Sequence, residues 1–518
     1  MTQKSLSLKF IILAMASTII FSCEGPEGPT GPQGPAGEDG QDGIPGTDGK
    51  DLTAKVYIPL EESVTPANIL DVKADFSSIE VEVLLSSEDE LPSDDFIYGS
   101  MADGAGLLKN NDTSYILINN IEADYSVARI MLDQNLRPFS GEYILNANAS
   151  AFTAQCSGSL ITPEEHGFGP LYLSGGEWGG ASQGVFVTSP FKKAEDASFA
   201  TMLTSFGQWN VENAVVIGKN AFPGQTVAFI GDDHSDNAEP QGQLGMYVGP
   251  AGDLNTGSLY GLVVTNDGIT YEMDMEVGET YDISWYEFTE RSTELLNTEA
   301  VNNGVMGFSR LEDIDWRRGS ATNNREIYMA VTGRNRGSLI DKGSQTGRIY
   351  KVTLNADDPT EAGTIEVLLD GDDTSGPAAA FHSPDNILVT ENYAYIQEDP
   401  NGVVEDRGDG WAGKEEANHF AYLYQYDLST GDLKVVLECN QEVASGMGYG
   451  ATSDTWEITG MIDITETIGA STGTFLLITQ NHGWEPESGQ FTDPNANPDV
   501  ANSTAEGSVL FVIRGLDR

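Results

Sequence analysis

From about residue 53 to its end the chain is a succession of short β-rich runs cut apart by Gly, Asn and Asp. They include SIEVEVLL, TSYILINNI, NAVVIGKN, QTVAFIGDD, GSLYGLVVTN, REIYMAVTG, TIEVLLDGD, GTFLLITQ and GSVLFVIRG. Side chains along a strand alternate between its two faces, so runs of this length and composition suit strands and not helices. LYQYDLSTGDLKVVL reads as a hairpin with a Gly-containing turn, and GRIYKVTLN…TIEVLLDG has the same plan with a longer connection. Long helical patterns are scarce. The fold is therefore expected to be all-β. Hairpin units repeated along so much chain predict a β-propeller of six or more blades, with a pair of β-sandwiches as the alternative.

Asp and Glu number 80 against 26 Lys and Arg, a net charge of -54, while 39% of residues are hydrophobic. A core is affordable, and nucleic acid is excluded as a partner because its phosphates need a basic surface. The acidity fits a solvated surface suited to salty surroundings. It also fits carboxylates that hold hard cations such as calcium.

Residues 1–23 carry Lys4 and Lys9 ahead of an apolar stretch from Phe10 to Phe21, the plan of a secretory signal and too short to span a bilayer. The ending Ile20-Phe21-Ser22-Cys23 resembles a bacterial lipoprotein signal box. That resemblance implies cleavage before Cys23, lipidation of its thiol, and export to the periplasmic or cell-surface side of an outer membrane, anchored and not embedded. A plain signal peptide is the alternative. In residues 24–52, glycine falls on every third position from Gly25 to Gly49, the collagen period. Two readings stay open: a stalk that makes a homotrimer, or an extended spacer. The third segment, 53–518, is the expected propeller domain.

Polar clusters flank several strands. Asn120 and Glu122 follow TSYILI, Glu212 precedes NAVV, and Asp232, Asp233 and His234 follow VAFIG. Glu312, Asp313 and Asp315 precede REIYMAVTG. Asp385 and Asn386 open one strand, Glu398 and Asp399 close the next, and Glu457 precedes the strand that delivers Asn481 and His482. In a propeller, strand ends far apart in sequence converge on a central channel. Acids gathered there would repel one another unless cations neutralised them. Taken singly, each is also an ordinary turn-former.

Six of these stretches, in order, resemble the PhoX-type alkaline phosphatases: YILINNIEAD, AQCSGSLITPEEHGFGPLYLSGGE, VAFIGDD, SRLEDIDW, SPDNILVTENYAYIQED and WEITGM…FLLITQNHG. The resemblance implies a six-bladed propeller holding ferric iron (Fe3+) and calcium (Ca2+) around a bridging oxo group, with a cysteine thiolate on one iron. By position that cysteine is Cys156. From the residues alone, Cys156 is equally a buried inert thiol, and Cys439 in VVLECNQEV reads as ordinary packing. Glu312 and Glu457 match the family's iron-bridging glutamates. Glu122, Glu177, Glu212, Asp232, Asp233 and Asp399 are candidates for calcium or supporting roles. Arg310, two residues before Glu312, is either a phosphate clamp or a surface arginine.

The implied reaction is metal-assisted hydrolysis of phosphate monoesters, with diesters as an extension. The chain departs from the family pattern where Glu164 replaces a Trp, Leu311 a Pro, Asp313 a frequent Trp, and Gln480-Asn481-His482-Gly483 a Gln-His-Pro-Gly segment. These changes point to a divergent substrate or reduced activity. Two rival functions remain: a non-catalytic, calcium-stiffened binding propeller, and a calcium-dependent propeller hydrolase such as a lactonase, which needs no thiolate. No Walker-type phosphate loop is present.

Overall fold

A computed structural model describes residues 57–180, 182–234, 238–400, 419–486, 491–499 and 506–518. The signal, Cys23 and the glycine repeat lie outside the described residues. Strands β1 (Leu70–Val72) and β2 (Glu80–Ser86) come first. A four-stranded antiparallel sheet follows: β3 (Ala102–Asn111), β4 (Ser114–Ile121), β5 (Ser126–Asp133) and β6 (Pro138–Leu145). Next is a three-stranded sheet of β7 (Gln155–Ile161), β8 (Leu171–Gly176) and β9 (Gly184–Thr188).

A nine-stranded sheet comes third. One half is β10 (Val211–Val216), β11 (Gln225–Asp232), β12 (Leu244–Pro250), β13 (Ser258–Val264) and β14 (Thr280–Glu287). The other is β15 (Leu311–Trp316), β16 (Glu326–Val331), β17 (Arg348–Thr353) and β18 (Gly363–Asp370), joined to the first where β14 pairs with β18. Then come β19 (Pro384–Val389), β20 (Tyr393–Glu398), β21 (Tyr422–Asp427) and β22 (Leu433–Cys439), and last β23 (Glu457–Asp463), β24 (Thr474–Asn481) and β25 (Gly507–Arg514). The LYQYDLSTGDLKVVL hairpin is β21–β22, with Tyr426 opposite Leu433.

The arrangement is all-β and propeller-like. The first strand of each unit packs beside that of the next: β3 on β7, β7 on β10, β10 on β15, β15 on β19, β19 on β23, and β23 back on β3. The two earliest strands close the last two sheets: β1 pairs with β22 and β2 with β25. Strands β10, β15, β19 and β24 are buried on both faces. In β24, Phe475 and Leu477 enter one core while Leu476 and Ile478 enter the next, as a two-residue period requires. The longest helix, α1 (Thr293–Asn302), tucks Leu296 and Ala300 under the third sheet's core. No helix among the described residues is long and apolar enough to cross a membrane.

One irregularity recurs in every inner strand. Two residues oppose one on the neighbouring strand at Asp103-Gly104, Cys156-Ser157, Glu212-Asn213, Glu312-Asp313, Asp385-Asn386 and Gly460-Met461. Such a β-bulge bends the strand and re-aims a side chain. At three bulges the residue two positions before the acid has positive φ: Met101 (55°), Arg310 (65°) and Ser383 (56°). This left-handed backbone is costly for a side chain with a Cβ and turns the chain into the strand. Opposite two bulges the partner is glycine because neighbouring backbone leaves no room. A Cβ on Gly175 would lie 2.0 Å from the Glu212 carbonyl, and one on Gly231 2.5 Å from that of Glu312.

The second residue of each pair ties neighbouring strands together. Asp313 accepts from the Ile387 N–H at 2.9 Å, from the Ile314 N–H at 2.7 Å, and from Asn213 Nδ2. It thus links β10, β15 and β19. Asp313→Ala strands these buried donors and is expected to cost about 2–4 kcal/mol in denaturant unfolding, without changing which strands form.

Candidate metal centre

The first residue of five of these bulges faces one buried cluster. Ligand atoms of Asp103, Glu122 and Cys156 lie within 4.8 Å of one another, as do those of Cys156, Glu177 and Glu212, and those of Glu212, Glu312 and Asp385. The triples share members, so they form one continuous group. Cys156, Glu212, Glu312 and Asp103 are each no more than 4% exposed.

Fixed donors hold the group. The Cys156 thiol donates to Glu177 Oε2 at 3.0 Å. The Ser157 N–H donates to Glu212 Oε1 at 3.0 Å. Glu122 accepts from Trp178 Nε1 at 2.8 Å and from Gln480 Nε2 at 2.9 Å. Asn386 Nδ2 donates to Ser157 Oγ, and the Thr459 hydroxyl lies between Asn386 Oδ1 and Asp103 with one proton to give to either.

Burial, followed by the charges of neighbouring acids, pushes Asp103, Glu177, Glu212, Asp385 and Glu457 well above the usual carboxylate range. Glu312 is raised by burial too, although Arg310 pulls it down. Burial and then Glu122, Glu212 and Glu177 push the Cys156 thiol up as well. The acids cannot all be ionised at neutral pH without positive charge among them.

Arg310 is the main protein cation there. Its Nε and Nη2 donate to the two oxygens of Asp233 at 2.9 and 3.0 Å. Nη2 also lies 2.6 Å from Glu312 Oε1, in contact but without hydrogen-bond alignment, and that oxygen accepts no hydrogen bond. Arg310 is therefore no surface arginine, and its fork is already engaged by protein carboxylates. His482 donates or accepts at Nδ1 with Glu506, 2.9 Å away. Burial lowers the imidazole, but Glu506, Asp399 and Glu122 outweigh it and leave it raised.

The structure brings Cys156, Glu122, Glu177, Glu212 and Glu312 together. Glu457 and Asp399 stand beside them as electrostatic neighbours of Asp385, and Asp233 as one of Glu177. Asp232 is placed elsewhere: its Oδ1 accepts from the Asn210 N–H at 3.1 Å, and its only neighbouring charge of note is Asp233. Adjacent strand residues point to opposite sides, so one member of the Asp232-Asp233 pair faces the cluster. Asp315 and Glu398 serve the framework. Asp315 accepts from the Val389 N–H at 2.7 Å and pairs with Arg318, and Glu398 accepts from the His382 and Tyr422 N–H groups and the Tyr424 hydroxyl.

Two members were not singled out as ligands from sequence. Asp103 sits in the glycine-rich MADGAG, and Asp385 in PDN, the form of a turn. The available signal was their shared position: an acid or thiol, then a small or polar residue, at the start of a β-run.

No family model matches the chain. No curated protein matches it either. Among solved structures it is similar to Pseudomonas fluorescens PhoX in complex with vanadate, a transition state analogue, at 14% identity and TM-score 0.55, covering 88% of this chain and 97% of that one. The shared feature is the fold. Weaker likenesses, which carry no argument about this site, join it to the AfRom2 CNH domain (10% identity, 85% and 99% covered, TM-score 0.33). Another is to an alpha-L-arabinofuranosidase, Arb93A from Fusarium graminearum, with an iminosugar inhibitor (9% identity, 79% and 92% covered, TM-score 0.34).

Proposed function

We propose that the chain is an exported, metal-dependent phosphoric ester hydrolase. It acts on phosphate monoesters, and by extension diesters, at a cluster in the channel of a six-bladed propeller, the nine-stranded sheet counting as two blades. The observation that carries this reading is the convergence of the Cys156 thiol with carboxylates from successive inner strands. The donor set fits metal: oxygen ligands suit calcium and a thiolate suits iron. Glu312 Oε1 accepts no aligned hydrogen bond and meets only the charge of Arg310, 2.6 Å away. Cys156, Glu312 and Glu457 would hold ferric iron. Glu122, Glu177, Glu212, Asp233 and Asp399, together with Asp103 and Asp385, would hold calcium. Bound, these ions supply the positive charge that draws in phosphoryl oxygens and stabilises charge developing on them.

The protein's own part is to present the donors already in place. The bulges aim them, Trp178 and Gln480 fix the Glu122 carboxylate, and Arg310 holds Asp233 against Glu312. Glu177 Oε2, at 3.0 Å, is the acceptor for the Cys156 proton when the thiolate is needed. Attachment through a lipidated Cys23, outer-membrane placement and trimerisation through residues 24–52 belong to the same proposal and rest on sequence alone.

The test is hydrolysis of p-nitrophenyl phosphate by the full-length chain. Turnover that disappears on chelation and returns with calcium supports the reading. A protein that binds calcium tightly yet turns over neither monoester nor diester is instead a binding propeller.

A further inference from the structure

The acid cluster offers no group to recognise what is esterified to the phosphate. An aromatic patch beside it does. Trp178 is anchored to Glu122 through Nε1, yet the residue is 38% exposed, and Phe152 is 39% exposed. Tyr125 stands edge-on to both, with ring centroids 6.0 Å from Trp178 and 5.9 Å from Phe152. The loops are tied together by the Ala154 N–H donating to the Trp178 carbonyl at 2.9 Å. Tyr125, Ala151 and Phe152 all have positive φ, at 55°, 54° and 60°. Exposed aromatic surface held on left-handed backbone is costly twice over, and such strain concentrates where a ligand is clamped. The patch is one hydrogen bond from a cluster carboxylate, within reach of the group attached to a phosphate held there.

We propose that Trp178, Phe152 and Tyr125 form a subsite for a planar aromatic leaving group, which makes aryl and nucleoside phosphates preferred over aliphatic ones. This rests on the phosphatase reading for its catalytic consequence but not for binding. The experiment uses the full-length, metal-loaded chain. Kinetics are measured on p-nitrophenyl phosphate, adenosine monophosphate, ribose 5-phosphate and glycerol 2-phosphate, with equilibrium dialysis of adenosine monophosphate and ribose 5-phosphate alongside. Phe152→Ala, which removes a ring of the patch and no hydrogen bond to the cluster, raises KM for the two aromatic esters about tenfold and leaves the aliphatic esters within about twofold. Trp178→Phe keeps the ring, loses the hydrogen bond to Glu122, and retains the aromatic preference in KM. Equal loss on all four substrates, or no loss, overturns the subsite. If nothing is turned over, dialysis decides. Tighter, Phe152-dependent binding of adenosine monophosphate keeps the subsite while the phosphatase reading falls, and equal or absent binding of the two ligands overturns the subsite.

Discussion

Cys156→Ala is expected to purify folded, to lose its iron, and to lose at least about a hundredfold in turnover of p-nitrophenyl phosphate. The thiol is one small side chain in a cluster held by many backbone and side-chain contacts, so its removal leaves the sheets intact. It is also the only cysteine of the cluster among the described residues; Cys439 is buried in the core between the last two sheets. If Cys156 were inert packing, alanine would change stability slightly and leave turnover unchanged. Metal content and rate measured on one preparation, with circular dichroism as the folding control, separate the two cases. Cys156→Ser adds a check, since a hydroxyl of similar size fills the space but is a poor iron ligand.

The metal-free chain is expected to be most stable in acid and to weaken as pH rises, the reverse of ordinary acid denaturation. Burial pushes Glu272, Glu398 and Asp313 up to about 7 and Asp124 to about 8. A carboxyl with a folded value above its unfolded one holds its proton more tightly when folded. The stability it contributes is full below the unfolded value, about pH 4, and is lost as pH climbs through about 7–8. The cluster acids shift in the same direction and add to the loss. A fall in Tm of at least about 5 °C between about pH 5 and pH 8 in chelator is expected, and calcium should remove only the share that the cluster acids contribute. A Tm that is flat over that range in chelator, or insensitive to calcium, would contradict the charge argument.

Much of the fold was legible because strand periodicity and hairpin turns are local. SIEVEVLL was readable as a strand, but nothing local says that it pairs with β25 at the other end of the chain. The joining of two units through β14 and β18 depends likewise on long-range contact. In the site, Glu212, Glu312 and Cys156 were reachable because each stands at the mouth of a β-run. Asp103 was hidden: what aims it is a bulge set by the register with β4 and by the left-handed Met101, neither visible in MADGAG. For Asp232 and Asp233, the GDD stretch does not say which of two neighbours turns inward. Arg310 was found, but its partners were not, since the fork that suits phosphate suits Asp233 equally well.

The central claim is that the inner-strand cluster is a metal centre. The most direct measurement is the metal content of the full-length chain, purified without added metal and analysed by plasma mass spectrometry. The account predicts that iron and calcium co-purify in fixed ratio to protein, the iron absent from Cys156→Ala. Protein free of both metals, or iron undiminished by that substitution, would contradict it.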